Sequence, residues 1–212
     1  MDNTKERILK ATRDLFFEMG AKKVTMRDIA TRCAISPGNL TYYFRRKEDL
    51  FAAVFEDLLL QEYGNFPQSY KNRENPWITF IAVNYVHLKA VVQTASTLAS
   101  FIYASNFPSS REAYIQVSSD LLFKSLQNTP YARDSRSVWL ASMVGCGGEF
   151  EAIHAYNKEQ NKLTLDELIM PTFSVRMFLL DLQPEAIDAF VKEGMEVGKS
   201  IHPKFYSAYR GT

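Results

Sequence analysis

Apolar side chains recur every three or four positions along nearly the whole chain, and this spacing limits the fold more than any other feature. It places them on one face of an α-helix, whereas a strand needs alternation with a period of two, which never runs long here. The first such segment runs from about Thr4 to Met19, and Gly20 can end it in a left-handed conformation. We therefore expect an all-α protein of about nine or ten helices.

Further helices are predicted where a capping residue precedes an apolar run. Thr25 with Asp28, Ser36 with Pro37, and Thr164 with Glu167 are such starts. Polar and turn-forming residues from Tyr63 to Pro76 predict a linker, so we divide the chain into domains 1–62 and 63–212, which we call the head and the body. The predicted helices span about residues 4–19, 25–33, 37–44, 47–62, 76–104 (one helix or two), 110–127, 135–157, 165–181 and 184–201, and Pro171 is expected to kink the helix it interrupts.

Charge is divided unevenly along the chain. The 25 basic and 24 acidic residues give a net charge of +1, which excludes a protein that grips nucleic acid with its whole surface. Residues 1–50 hold 11 basic and 7 acidic side chains, net +4, which leaves 14 basic and 17 acidic, net −3, for the remainder. A basic N-terminal part therefore precedes an acidic body.

Several classes of protein find no support in the sequence. Cys33 and Cys146 are too far apart for a disulfide framework or a cysteine-rich metal site, which indicates a reducing compartment. The charged N-terminus is not a secretory signal, and the longest apolar region, 77–92, is interrupted by polar residues. Without motifs for a nucleophile, a phosphate loop or a metal, we expect a cytoplasmic protein with no membrane association, no enzymatic activity and no cofactor.

The segment from Thr25 to Phe44 has the pattern of a helix-turn-helix unit. Ile29 and Ala30 of its first helix, Ile35 of the turn and Leu40 of its second helix are spaced to face inward. The second helix then directs short or hydrogen-bonding side chains outward, where they can meet the edges of DNA bases. Basic side chains and helix N-termini can each bind phosphate groups, and this segment has both. The basic residues around this surface and its two helix N-termini are Arg27, Arg45, Arg46 and Lys47.

Thr4 to about Glu62 resembles the DNA-binding domain of the tetracycline-repressor (TetR) family of bacterial transcriptional regulators. The resemblance rests on ILKATRDLFFEMG at 8–20, VTMRDIA at 24–30, ISPGNL at 35–40 and FRRKEDL at 44–50. The family often has glycine where Ala34 stands and tyrosine where Thr41 stands. By position, the resemblance implies backbone contacts from Thr25 and Arg27, a reading surface of Ser36, Pro37, Gly38, Asn39, Thr41 and Tyr42, and phosphate contacts from Tyr43 and Lys47.

The helix predicted at 135–157 is apolar on two faces. One face carries small residues at heptad-like spacing, which would let another backbone approach closely: Ala141, Gly145, Gly148, Ala152 and Ala155. We predict a dimer interface there, since a two-fold DNA site requires two heads and the resemblance also implies dimerisation through the last long helices. The alternative is that this helix lies centrally in a monomer.

The body also carries features of a small-molecule pocket. One face of the helix from Trp77 mixes aromatic rings with the hydrogen-bonding groups of Asn84 and His87. Glu151 and His154 share another helix face in a Glu-x-x-His pair, but metal-binding bundles need two copies of that motif. The predicted pocket comprises Trp77, Phe80, Asn84, His87, Met143, Phe150, Glu151 and His154, although internal hydrogen bonds could equally satisfy its polar groups.

These features predict a homodimeric regulator that binds double-stranded DNA at a palindromic operator and is released by an unknown small-molecule effector. The alternative is a DNA-associated protein that acts through a protein partner and has no small ligand. A helical metalloenzyme built on Glu151 and His154 has the least support.

Overall fold

The computed structural model describes residues 3–66, 75–158 and 162–201, and the regular elements in these ranges are all helical, as expected. The segment predicted as one helix or two is two helices, separated at residues 92–94. The helices are α1 (Asn3–Met19), α2 (Met26–Arg32), α3 (Pro37–Tyr43), α4 (Lys47–Asn65), α5 (Pro76–Val91), α6 (Ala95–Ala104), α7 (Pro108–Leu126), α8 (Ser135–Lys158), α9 (Leu165–Leu179) and α10 (Pro184–Ser200).

The predicted helix ends are confirmed by their hydrogen bonds. Thr25 accepts from the backbone N–H of Asp28, whose carboxylate accepts from the N–H of Thr25, and Thr164 pairs with Glu167 in the same way. Ser36 caps α3 directly before Pro37. Gly20 follows α1 with a φ of +80°, the left-handed conformation that glycine adopts without steric cost.

The helix-turn-helix packs as its apolar pattern predicts. Ile29 of α2 and Leu40 of α3 are fully buried, and the N–H of Ile35 donates to the carbonyl of Ala30 across the turn. Ala34, in that turn, has a φ of +52°. An alanine in this left-handed region carries a steric cost that a glycine avoids, so the turn holds local strain.

Helix α4 runs through the predicted domain boundary. It was expected to end at Glu62, but it continues to Asn65, and its length packs along α7 of the body. Glu62 is buried, and the ring of Tyr63 lies 6.3 Å from that of Phe80. The head and the body therefore share a continuous helix at this point, while residues 67–74 of the predicted linker lie outside the described residues.

Helix α5 is the central helix of the body, and α10 lies along it. The two helices can approach closely because Gly194 and Gly198 of α10 have no Cβ atom. A Cβ atom at either position would collide with Ile81 or Tyr85 of α5. On the other side of the body, α8 packs between α7 and α9, and α9 continues through Pro171. Gly145 and Gly148 of α8 face Arg176 and Thr172 of α9, so these two helices run antiparallel.

Helix α6 of the body holds the C-terminal end of α1. The Ser96 hydroxyl donates to the carbonyl of Phe17 (2.9 Å), and the Ser100 hydroxyl donates to the carbonyl of Phe16 (3.2 Å). Ser100 also accepts from the backbone N–H of Ala21 (2.9 Å). The last carbonyls of a helix have no partners within it, so these serines provide partners for the end of α1 and join that helix to the body.

We expect Ala34→Gly to raise the free energy of unfolding by about 0.5–1 kcal/mol, because relief of the left-handed strain exceeds the added entropy of the unfolded chain. The matched control is Ala132→Gly, at an exposed position outside a helix without positive φ, where only the entropy cost applies and stability should fall. Urea unfolding measures both changes. Equal losses at the two positions would contradict the assignment of strain to Ala34.

Candidate nucleic-acid interface and ligand site

The surface of the helix-turn-helix presents the side chains that the sequence predicts for DNA contact. Thr25 and Arg27 are exposed at the start of α2, and the exposed part of α3 begins at its cap, Ser36. Tyr42 is 82% exposed, the largest exposure among the exposed large hydrophobic side chains of the described residues. Apart from buried Leu40, all the residues from the cap of α3 to its penultimate residue are exposed, namely Ser36, Pro37, Gly38, Asn39, Thr41 and Tyr42.

Two of these residues have constrained side chains. The Thr41 hydroxyl donates to the carbonyl of Gly38 (2.9 Å) within α3, which leaves its oxygen lone pairs and its methyl group for an outside contact. The ring of Tyr42 meets the ring of half-buried Tyr43 edge to face, with centroids 5.3 Å apart. This ring contact with Tyr43 restricts the orientation of the Tyr42 side chain.

The basic residues of the head fall into two groups. Arg27, Arg45 and Arg46 are exposed. Lys47 instead lies partly buried, with its ammonium 5.2 Å from the centre of the Tyr103 ring and its Nζ donating to the carbonyl of Lys22 (3.3 Å). Burial lowers the pKa of Lys47. The predicted phosphate contact of Lys47 would therefore compete with its cation–π contact to the body.

A buried acid–base pair links α4 to α5. Nδ1 of His87 lies 2.8 Å from a carboxylate oxygen of Glu62, and both side chains are more than nine-tenths buried. Burial lowers the pKa of His87, but the charge and the hydrogen bond of Glu62, with a further contribution from Glu149, outweigh it, so the pKa lies above its ordinary value. The pair therefore favours a protonated histidine in the core.

A second buried pair joins α8 to α9, and the sequence reasoning missed it. Nη2 of Arg176 lies 3.0 Å from the carboxylate of Glu149, with both side chains 0% exposed. The Tyr114 hydroxyl donates to the same carboxylate (3.3 Å). The available signal was an arginine between Phe173 and Met177, in the apolar stripe of α9, where only a paired charge is tolerated.

The structure does not gather the predicted pocket residues around one space. Trp77, Phe80 and Phe150 are packed in the core, and the Asn84 amide donates to the carbonyl of Phe80 (2.7 Å) and to the Tyr63 hydroxyl (3.2 Å). Met143 and Glu151 point outward because they lie on the exposed side of α8. His154 is half-buried, with Nε2 2.9 Å from the Ser105 hydroxyl.

His87 alone among the eight predicted residues lines a cavity between α1, α4, α5 and α6, of about 60 Å³. This space lies closer to the head than the predicted pocket does. The predicted site is therefore corrected in position: its aromatic rings fill the core instead of enclosing a ligand, and the open space lies at the junction of head and body.

The predicted dimer strip is covered within the chain. Ala141, Gly145 and Ala152 are buried, and a Cβ atom on Gly145 would overlap the guanidinium of Arg176. Gly148 faces Thr172, also of α9, and Ala155 is half-buried. The small residues do allow a helix to approach closely, but that helix is α9 of the same chain, so the expected contact with a partner is corrected.

A different face of the α8–α9 pair is exposed and apolar. It lies on the side of both helices that faces away from the core, and Phe178 is its most exposed member at 66%. Gly147, one helical turn beyond Met143 on α8, has open space around it. The exposed apolar side chains are Leu140, Met143 and Val144 of α8 and Met170, Phe178 and Leu179 of α9.

Residues 3–66, 75–158 and 162–201 contain neither a candidate metal site nor a candidate membrane-spanning helix. No group of three or more histidine, cysteine, aspartate or glutamate residues is placed to hold a metal ion there, and the Glu151 carboxylate lies 3.8 Å from Arg111 instead. None of the helices in these ranges has the length and apolar character to cross a membrane.

Comparison with known sequences shows that the head is similar to one family of regulatory proteins. A family model described as bacterial regulatory proteins, tetR family, matches residues 8–54. The HTH-type transcriptional regulator UidR of Escherichia coli K12 is 45% identical over 51 residues, which are 24% of this chain and 26% of UidR. The HTH-type transcriptional repressor KstR2 of Mycolicibacterium smegmatis is 26% identical over 96 residues, 42% of this chain and 47% of KstR2. The chain thus matches less than half of either protein.

Comparison with solved structures extends the likeness to the whole fold. RolR in complex with resorcinol has a TM-score of 0.66 and 17% identity, and the alignment covers 95% of this chain and 96% of RolR. A TetR transcriptional regulator from Rhodococcus sp. RHA1 has a TM-score of 0.56 and 18% identity over 85% of this chain and 97% of that one. The body therefore shares its helical architecture with these proteins.

We expect the free energy of unfolding to fall as the pH rises through the pKa of folded His87. The unfolded histidine loses its proton near pH 6.5, while the folded one retains it to higher pH, so the folded state binds more protons in between. The stabilisation is complete below about pH 6.5 and is lost above the folded pKa.

Glu62→Gln is the control, because without the Glu62 carboxylate only the smaller contribution of Glu149 opposes burial, which then lowers the pKa of His87. The fall in stability should then vanish or reverse. Urea unfolding of both chains from about pH 5.5 to 9 gives the difference, in which the other titrating groups cancel. Parallel pH profiles would contradict a raised pKa at His87.

Proposed function

We propose, from the match of residues 8–54 to bacterial regulatory proteins of the tetR family, that this chain is a DNA-binding transcriptional regulator and acts as a repressor. It acts in the cytoplasm by binding and not by catalysis. The observation that carries the proposal is the surface of α3, where buried Leu40 anchors the helix and polar or aromatic side chains cover the exposed side. Such a helix fits the major groove of DNA.

The charge distribution supports the same proposal. The exposed guanidinium groups of Arg27, Arg45 and Arg46 flank α3, and the N-termini of α2 and α3 add backbone N–H groups suited to phosphate oxygens. The acidic body adds little attraction for DNA. Binding is then confined to the head and depends on how the head is oriented.

The proposal includes a homodimer that binds a palindromic operator. One head offers only a short helix to the groove, so a tight and specific complex requires two heads about one helical turn of DNA apart. The exposed apolar face of α8 and α9 supports this, because two copies of it would bury Phe178 and its neighbours against each other as a four-helix contact.

The proposal also includes release by a small molecule. RolR, whose fold is similar, was crystallised with resorcinol, so a body of this architecture can hold a small ligand. In this chain, α4 belongs to both domains and α6 holds the end of α1, so a change in the body reaches the head directly. Release requires that the ligand prefer one arrangement of the heads over another.

We expect Tyr42→Ala to weaken operator binding about tenfold or more, because it removes a contact side chain from the groove. Its melting temperature should stay unchanged, since Tyr42 is largely exposed. The operator is selected from a random-sequence DNA library with the unaltered chain, and affinity is measured by gel shift at one salt concentration. Lys124→Ala, on the exposed surface of α7, is the control and should bind normally. Full affinity in Tyr42→Ala would place the reading surface elsewhere.

We expect Phe178→Glu to convert the dimer to a monomer, because dimerisation would bury an unpaired carboxylate in an apolar contact. Leu60→Glu is the matched control, since Leu60 is also an exposed apolar side chain but lies on α4, outside this face. Sedimentation equilibrium measures both. A dimer that survives in Phe178→Glu would contradict the interface, and an unaltered chain that is monomeric would assign this face to a protein partner.

A further inference from the structure

The cavity at the junction of head and body has walls from both domains. Helix α1 contributes Phe16 and Phe17, α4 contributes Phe51 and Phe55, and α6 contributes Phe101. Five phenylalanine rings thus surround a space of about 60 Å³. Aromatic walls favour an aromatic guest, because ring edges and faces pack favourably on one another.

One part of the lining of this cavity is polar. The Glu62–His87 pair lies there, and His87 directs Nδ1 to the carboxylate. Its other nitrogen, Nε2, is buried without a hydrogen-bond partner. A buried nitrogen in this state carries a free-energy cost that a ligand hydroxyl would remove, since a hydroxyl can accept from a protonated Nε2 or donate to a neutral one.

Two other polar side chains around the cavity, Arg13 and Ser100, already form hydrogen bonds or ion pairs. Arg13 forms an ion pair with Asp57 (2.7 Å), and the Ser100 hydroxyl serves the end of α1. The cavity therefore offers a hydrogen bond at His87 but no unpaired carboxylate for a cationic ligand. This composition selects a ring with a hydroxyl group and disfavours one with an ammonium group.

The cavity is so small that a ligand can occupy it only if the surrounding helices move apart. An apolar protein cavity that binds benzene measures about 150 Å³, which is more than twice the space present here. A single ring can enter only if the walls separate, and one of those walls is α1. The contacts that hold α1 against the body are the hydrogen bonds of Ser96 and Ser100 to its last carbonyls and to the Ala21 amide.

We propose that this junction cavity is the effector site, that it binds a single-ring aromatic molecule through a hydroxyl group on Nε2 of His87, and that binding displaces α1 from α6. This proposal rests on the proposed function only for the effect of the ligand on DNA binding. Binding itself is a property of the isolated protein, and so is the displacement.

Four probes of similar size test the chemistry on the full-length chain: phenol, toluene, benzoate and benzylamine. Isothermal titration calorimetry should show phenol binding about tenfold more tightly than toluene, which lacks only the hydroxyl, and no binding of benzylamine. Benzoate tests whether an anionic acceptor replaces the hydroxyl. Equal affinities for phenol and toluene, or binding of benzylamine, would overturn the assignment to His87.

Two variants test the location. His87→Asn places an amide near the position of Nδ1 but has no counterpart of Nε2, so phenol affinity should fall about tenfold while toluene affinity stays the same. Ala104→Val fills the cavity and should abolish binding of phenol and toluene. Ala99→Val, the same change on the exposed side of α6, is its matched control and should bind normally. Unaltered phenol binding in both cavity variants would place the site elsewhere.

Hydrogen exchange tests the displacement. The Ala21 amide donates to Ser100 across the junction, so saturating phenol should speed its exchange several-fold, while the amide of buried Leu40 in α3 stays protected. Slower exchange at Ala21 would show that the ligand tightens the junction, which contradicts displacement. Phenol that binds at His87 without releasing the selected operator would refute the proposed release but not the site.

Discussion

The ion pair between Arg176 and Glu149 fixes the arrangement of the body. Both side chains are fully buried, and the guanidinium also donates to the carbonyl of Thr172 (2.8 Å) and to the sulfur of Cys146 (3.1 Å). Loss of either charged partner would leave the other buried without compensation, at about 3–5 kcal/mol. Such a pair tolerates few alternative alignments, so it holds α8 and α9 at one position along each other. Tyr114 brings α7 into the same network.

The same pair explains the glycines of α8. A helix interior disfavours glycine by about 1 kcal/mol relative to alanine, yet Gly145 has no room for a Cβ beside the guanidinium. The strip of small residues therefore serves an intramolecular contact. Once α9 covers that strip, the outer side of the two helices remains apolar and exposed, and this is the face that we propose for contact with a second copy of the chain.

The junction between head and body is built from shared elements. Helix α4 passes through both domains, α6 satisfies the end of α1, and Lys47 lies against Tyr103. A head held this way does not move independently of the body. The cavity lies within this junction, beside the buried Glu62–His87 pair, so a ligand there would act on the contacts that orient the head.

Much of this protein is determined by local sequence. Helical periodicity, the capping residues at Thr25, Ser36 and Thr164, and the left-handed Gly20 depend on neighbours a few positions away, so the helices and most of their ends follow from the sequence alone. The exposed side of α3 follows as well, since a buried Leu40 leaves the opposite side to solvent. Only the tertiary structure decided which helix covers each apolar face. A strip of small residues has the same sequence pattern whether it contacts α9 or a second subunit. In the same way, neighbours distant in sequence decide whether a face of aromatic and polar residues is packed or lines a cavity. For this reason the pocket expected around Trp77 is filled, and the cavity lies beside α1.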